Sequence, residues 1–143
     1  MLSAIQDRMI QVARTSGLAV VIVEDEWLIR TTAAQALSGA GFCVLETDRT
    51  DHAIAHLRER ARHIHALFTD IHVPGSMDGL ALAHLSRREW PWVRLLIVSG
   101  RAKPAEHELP QGARFLAKPY ETEQVISHLW AMAEDVASGH RPH

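Results

Sequence analysis

Four short stretches carry residues whose types could do chemistry together. "VVIVEDE" at 20–26 delivers Glu24 and Asp25 directly after an apolar run, and "LFTDIHVPGSMDG" at 67–79 puts Asp70 where apolar sequence breaks into a loop. "LLIVSG" at 95–100 ends in Ser99, and "ARFLAKPY" at 113–120 carries Lys118 followed by Pro119. Carboxylates brought together repel and raise one another's pKa unless a cation sits among them. Lys118 can neutralise only part of that charge. Oxygen donors with an open position suit Mg²⁺, which keeps waters and bridges carboxylates to phosphate oxygens. An aspartate, a divalent metal and a lysine make a phosphoryl-transfer set, in which positioning and charge neutralisation supply most of the catalysis. The plainer alternative is that Asp25 and Asp70 cap helices, Ser99 serves a turn and Lys118 is a solvated charge.

The elements that must position these residues are legible in the hydrophobic pattern. Short apolar, β-branched runs at 19–23, 42–46, 65–69, 93–99 and 113–117 alternate with helical patterns at about 26–39, 50–62, 79–89 and 121–137. Runs that are continuously apolar suit strands covered on both faces, which predicts a parallel sheet in an α/β sandwich. In such sheets ligands bind outside the carboxyl ends of the strands, where all the candidate residues fall.

Within the first helix Leu28, Ala33, Ala36, Leu37 and Ala40 form one stripe, and the segment from Gly39 to Gly41 ends it. Thr50 or Asp51 can cap the second helix, and Pro91 stops the third. Residues 1–17 place Leu2, Ile5, Met9 and Val12 on one face of an extra helix that could pack on the domain or form a homodimer. The expected organisation is an N-terminal extension at 1–17, one domain at 18–137 and a flexible tail at 138–143.

Bulk properties exclude several function classes. With 143 residues, 47% of them hydrophobic, the chain has material for one core. A formal charge of −2 argues against nucleic-acid binding. Cys43, the only cysteine, lies in "FCVL" and reads as a buried structural thiol in a reducing compartment. Apolar runs such as 18–23 are far short of a bilayer span, so a cytoplasmic protein without a membrane partner is expected. His52 and His56 have the i,i+4 spacing of two metal ligands but no third ligand. The scattered tryptophans, Trp27, Trp90, Trp92 and Trp130, read as packing residues.

Taken together, the four stretches resemble the receiver domain of two-component response regulators over about 18–130, in that family's order and roughly its spacing. The resemblance implies a flavodoxin-like sheet of order 2-1-3-4-5. It implies that Asp70 accepts a phosphoryl group from a histidine kinase or histidine phosphotransfer protein. Asp25, Asp70 and the backbone carbonyl of His72 would hold Mg²⁺, with Glu24 acting through a bound water. Lys118 would pair with Asp70 and then with the phosphoryl oxygens. Ser99 would move to hydrogen-bond the acyl phosphate, with Phe115 at the aromatic switch position. His72 and Arg101 resemble the variable positions that flank the hydrolytic water, and the bond before Pro119 is usually cis.

Two departures from the family stand out. The segment from Asp70 to Gly79 carries one extra residue, absorbed at Gly75 and Ser76. The stretch from Ser99 to Lys118 is short, so Pro104 and Pro110 bracket only a brief "AEHEL" helix and the fourth helix is truncated, altering the output face. With one helix after Lys118, the chain reads as a stand-alone receiver that catalyses only its own phosphorylation and dephosphorylation. It would signal by binding a downstream protein target or by shuttling phosphate. Two other classes compete. One is a phosphorylation-independent binding module. The other is a phosphatase with Asp70 as nucleophile, which would require an aspartate where His72 stands.

Overall fold

The computed structural model of the protein describes residues 18–137. The extra helix expected within 1–17 and the tail at 138–143 lie outside them. Val20 to Val23 are almost wholly buried and form β1 (Ala19–Val23), an interior strand of the sheet. After it come α1 (Trp27–Gly39), β2 (Cys43–Thr47), α2 (Thr50–Arg60), β3 (Ile64–Asp70), α3 (Gly79–Glu89), β4 (Arg94–Ser99), β5 (Arg114–Ala117) and α4 (Thr122–Ala137). All strand pairs are parallel, and the sheet order is β2-β1-β3-β4-β5. This is the flavodoxin-like arrangement expected from the sequence.

Successive strand residues point to opposite faces, so an unbroken apolar strand feeds two cores. Val20, Ile22, Phe68, Leu96 and Val98 pack under α1 and α4 with Leu37, Val125, Leu129 and Trp130. Val21, Val23, Leu67, Leu95 and Ile97 pack under α2 and α3 with Ile54, Leu57 and Leu82. Burying such a Leu or Ile side chain contributes on the order of 1.5–3 kcal/mol, so both helix layers are secured by the strands that carry the candidate site.

Several local expectations change. Cys43 is exposed, because β2 is an edge strand and its first residue lies at the margin of the helix cover. Leu28 is 68% exposed and Trp27 67%, since the first turn of α1 projects beyond the sheet; neither joins the core stripe. Trp130, by contrast, is buried against the Phe42 ring at 4.4 Å. The second helix ends at Arg60 and closes in a 3₁₀ turn at Ala61–His63. Between β4 and β5 the truncated helix is reduced further, to a 3₁₀ turn at Glu106–Glu108. Thr50 and Asp51 do not cap α2, whose N-cap position is Arg49 without a side-chain cap. No helix among the described residues is long and apolar enough to cross a membrane.

Candidate functional site

Strand register brings the chemistry together. Val23 pairs with Thr69, so the residues that follow them, Glu24 and Asp70, emerge side by side at the carboxyl edge of β1 and β3. Ser99 closes β4 opposite Ala117, and Lys118 follows Ala117. One ligand oxygen each from Glu24, Asp25 and Asp70 lies within 4.8 Å of the others. Glu24 and Asp70 are buried, whereas Asp25 faces solvent.

Lys118 reaches across this rim. Its Nζ donates to Asp70 Oδ2 at 2.8 Å and also to Glu24 Oε1. The second contact went unread in the sequence, which pairs the lysine with Asp70 alone. Burial works to lower the Lys118 pKa, but the hydrogen bonds and charges of Asp70 and Glu24 outweigh it and hold the ammonium above the ordinary lysine value. Glu24 is shifted the other way for a carboxylate. Burial raises its pKa, and the hydrogen bonds from Lys118 and the Glu26 N–H only partly oppose this. Burial and the charge of Glu24 also push the Tyr120 phenol up to about 12, where its ring packs edge-on against Phe68 at 5.9 Å.

The capping alternative fails on geometry. Helix α1 has Glu26 at its N-cap with no side-chain cap, so Asp25 caps nothing there. Helix α3 is capped by Asp78, whose Oδ1 accepts from the Ala81 N–H at 2.8 Å. Asp70 instead offers its carboxylate to Lys118 and, at 3.3 Å, to the His72 N–H. Ser99 is buried, and its Oγ accepts from the Arg101 N–H at 3.0 Å. Phe115 is half-buried on β5 against the core that includes Leu82, Leu95 and Ile97, with Lys103 Nζ 5.7 Å from its ring centre. His72 and Arg101 are both exposed at the rim. The Lys118–Pro119 peptide bond is cis. His52 is exposed beside Asp48, and with His56 it joins no metal-binding group among the described residues.

Some residues that build the site give no chemical signal in the sequence. Gly79 is one: a Cβ there would fall 1.8 Å from the Asp70 carbonyl oxygen. Glycine lets the start of α3 press against the acceptor strand, and the Gly79 N–H donates to the Ile71 carbonyl at 2.8 Å. Thr69 Oγ1 donates to the Asp70 carbonyl at 2.8 Å. Arg30 Nη1 donates to the Glu24 carbonyl at 2.8 Å, fixing the turn that carries Glu24 and Asp25. The Asp-Gly dipeptide was the only local hint, and it reads equally well as an ordinary helix start.

An all-oxygen acidic cluster only partly neutralised by one ammonium fits a hard divalent cation, and the exposed Asp25 keeps a side open to solvent. Known proteins resemble this chain over most of its length. Residues 20–129 match the family described as the response regulator receiver domain. The sensor kinase CckA of Brucella abortus is 32% identical over 123 residues, covering 83% of this chain and 13% of the kinase. The phosphate regulon transcriptional regulatory protein PhoB of Pseudomonas aeruginosa is 29% identical, covering 86% of this chain and 55% of the regulator. The chain thus spans about half or less of these curated relatives. A response regulator receiver protein from Sinorhizobium medicae superposes with a TM-score of 0.71 at 26% identity, covering 80% of this chain and 95% of that one. With most of its length matched and its carboxylates and lysine converging at one sheet edge, the chain belongs to the response regulator receiver domain family.

Proposed function

We propose that Asp70 accepts a phosphoryl group from a histidine kinase or histidine phosphotransfer protein in the cytoplasm. The charge so acquired is then read out by binding of a downstream protein or by onward transfer. The observation that carries this reading is a buried Asp70 that caps no helix and is held by Lys118 within reach of Glu24 and Asp25.

In the proposed step an Asp70 carboxylate oxygen attacks phosphorus in line. The phosphorus–nitrogen bond of the donor phosphohistidine breaks, and imidazole leaves with the electron pair. Lys118, already at hydrogen-bond distance, follows the charge onto the phosphoryl oxygens. Mg²⁺, held by Asp25, Asp70 and the His72 carbonyl with Glu24 acting through a bound water, would neutralise charge on the transferred group. Ser99 exchanges the Arg101 N–H for a hydrogen bond to the acyl phosphate, and Phe115 moves inward behind it. Exposed His72 and Arg101 flank the approach of the water that later cleaves the anhydride.

Donor access is supported by a groove of about 550 Å³ beside Lys118, bordered by Leu28, Ala33, Gly100, Pro119 and Tyr120. Exposed Leu28 gives its lip an apolar character suited to a helical donor surface.

Acetyl phosphate with Mg²⁺ should label the protein, and Asp70→Asn should not label. Persistent labelling of that variant rejects Asp70 as the acceptor. Partner binding indifferent to Mg²⁺ and to Asp70→Asn would favour the phosphorylation-independent module. Action without an attached output domain is part of the proposal, tested by the mass of the natural polypeptide.

A further inference from the structure

The loop after Asp70 is clamped to the first turn of α2. Thr50, fully buried, donates its N–H to the Pro74 carbonyl at 3.1 Å and its Oγ1 hydroxyl to the Met77 carbonyl at 2.7 Å. The Ser76 N–H donates to Asp51 Oδ2 at 3.1 Å. Arg49 holds the same carboxylate at 2.9 and 3.2 Å. The hydrogen bonds of Ser76 and Arg49 keep the Asp51 pKa down to about 2, so the acceptor is charged at any working pH. Gly75, at φ +134°, makes the approach possible, because a Cβ there would stand 2.2 Å from Thr50 Oγ1.

Polar side chains at a helix start ordinarily satisfy the free N–H groups of that helix. Here they serve the loop instead. The near end of the loop is fixed separately, by the Ile71 N–H on the Val98 carbonyl at 3.0 Å and by Gly79 on Ile71. His72 therefore lies between two pinned points, Ile71 and Pro74. The extra residue of this loop is accommodated by the clamp rather than left as slack.

We propose that Thr50 and Asp51 are positioning residues for the metal, holding the segment that bears the His72 carbonyl against the acidic rim. This rests on the Mg²⁺ reading of Glu24, Asp25 and Asp70. Partners beyond the direct ligands typically change metal affinity by about 10- to 100-fold, which sets the size of the expected effect.

The probe is Mn²⁺ alone, with the free ion counted by its paramagnetic resonance signal. Thr50→Val should weaken Mn²⁺ binding about tenfold and Thr50→Ser should restore it. Labelling by acetyl phosphate at saturating Mg²⁺ should stay within about twofold of wild type, with only the Mg²⁺ requirement shifted. Asp51→Ala, at a partly exposed position, supplies a second variant should Thr50→Val not fold, and should weaken Mn²⁺ binding in the same direction. Unchanged Mn²⁺ affinity in a folded variant overturns the clamp while leaving the acidic site intact. Failure of the wild-type protein to bind Mn²⁺ overturns the metal reading itself.

Discussion

Replacing Lys118 with methionine keeps the length of the side chain and removes its charge, leaving Glu24 and Asp70 facing each other at the rim. The Lys118, Glu24 and Asp70 side chains are only 14%, 5% and 8% exposed, so solvent screening offers little relief. Removing one partner from such a buried arrangement costs about 3–5 kcal/mol at neutral pH. The sign of the pH dependence follows from proton binding. Because the Lys118 pKa is raised, its stabilisation is present throughout the neutral range and is lost only as pH rises through the folded value above 10.5. Glu24 is a carboxylate whose pKa is already raised above 4.5, so its ionisation opposes folding as pH rises through that window.

Without Lys118 its hydrogen bond and its charge no longer lower the Glu24 pKa, the Glu26 N–H remains as the one opposing influence, and protonation of Glu24 moves to higher pH. The deficit of the variant should therefore shrink by about 1.4 kcal/mol per pH unit for each proton taken up as the solution is acidified. Urea unfolding followed by circular dichroism from about pH 5 to about pH 8, with wild type in parallel, measures this. A deficit below about 1 kcal/mol at neutral pH, or one that does not vary with pH, would refute the coupled-charge reasoning. Mg²⁺ should restore much of the loss, since the variant site carries more uncompensated negative charge.

Three further outcomes are expected. Gly79→Ala should lower stability by about 3 kcal/mol or more, because a Cβ 1.8 Å from the Asp70 carbonyl oxygen forces α3 off the strand; an unchanged midpoint in thermal unfolding would show that the approach is looser. Mg²⁺ at about 100 times its Kd should stabilise the wild-type protein by about 2.7 kcal/mol, roughly 8 °C in midpoint, and Asp25→Asn should abolish most of the rise; equal shifts in both would place the ion elsewhere. Cys43 should react fully with an aromatic disulfide reagent in the native protein, and protection until unfolding would contradict its exposure.

Much of this arrangement was legible because parallel strands buried on both faces read as unbroken apolar runs. Residues 19–23 and 79–89 matched β1 and α3 at both ends. The site was legible for a related reason: side chains that follow such strands must share one edge, so Glu24, Asp25, Asp70, Ser99 and Lys118 could be grouped before any contact was known. What was missed depends on partners far away in sequence. Cys43 sits in an apolar run like the others, yet its exposure follows from the edge position of β2, which its own neighbours do not encode. Leu28 has the spacing of a core residue, but the first turn of α1 overhangs the sheet. Thr50 looks like a cap until the Met77 carbonyl, 27 residues on, takes its hydroxyl.

The central claim is that Asp70 becomes an acyl phosphate. The most direct measurement is to incubate the protein with acetyl phosphate and Mg²⁺, reduce it with borohydride, and map the peptides by mass spectrometry. Homoserine in place of Asp70, dependent on Mg²⁺ and absent without the phosphoryl donor, is the predicted result. Unmodified Asp70 alongside homoserine at another aspartate, or no reduction product at all, would contradict the account.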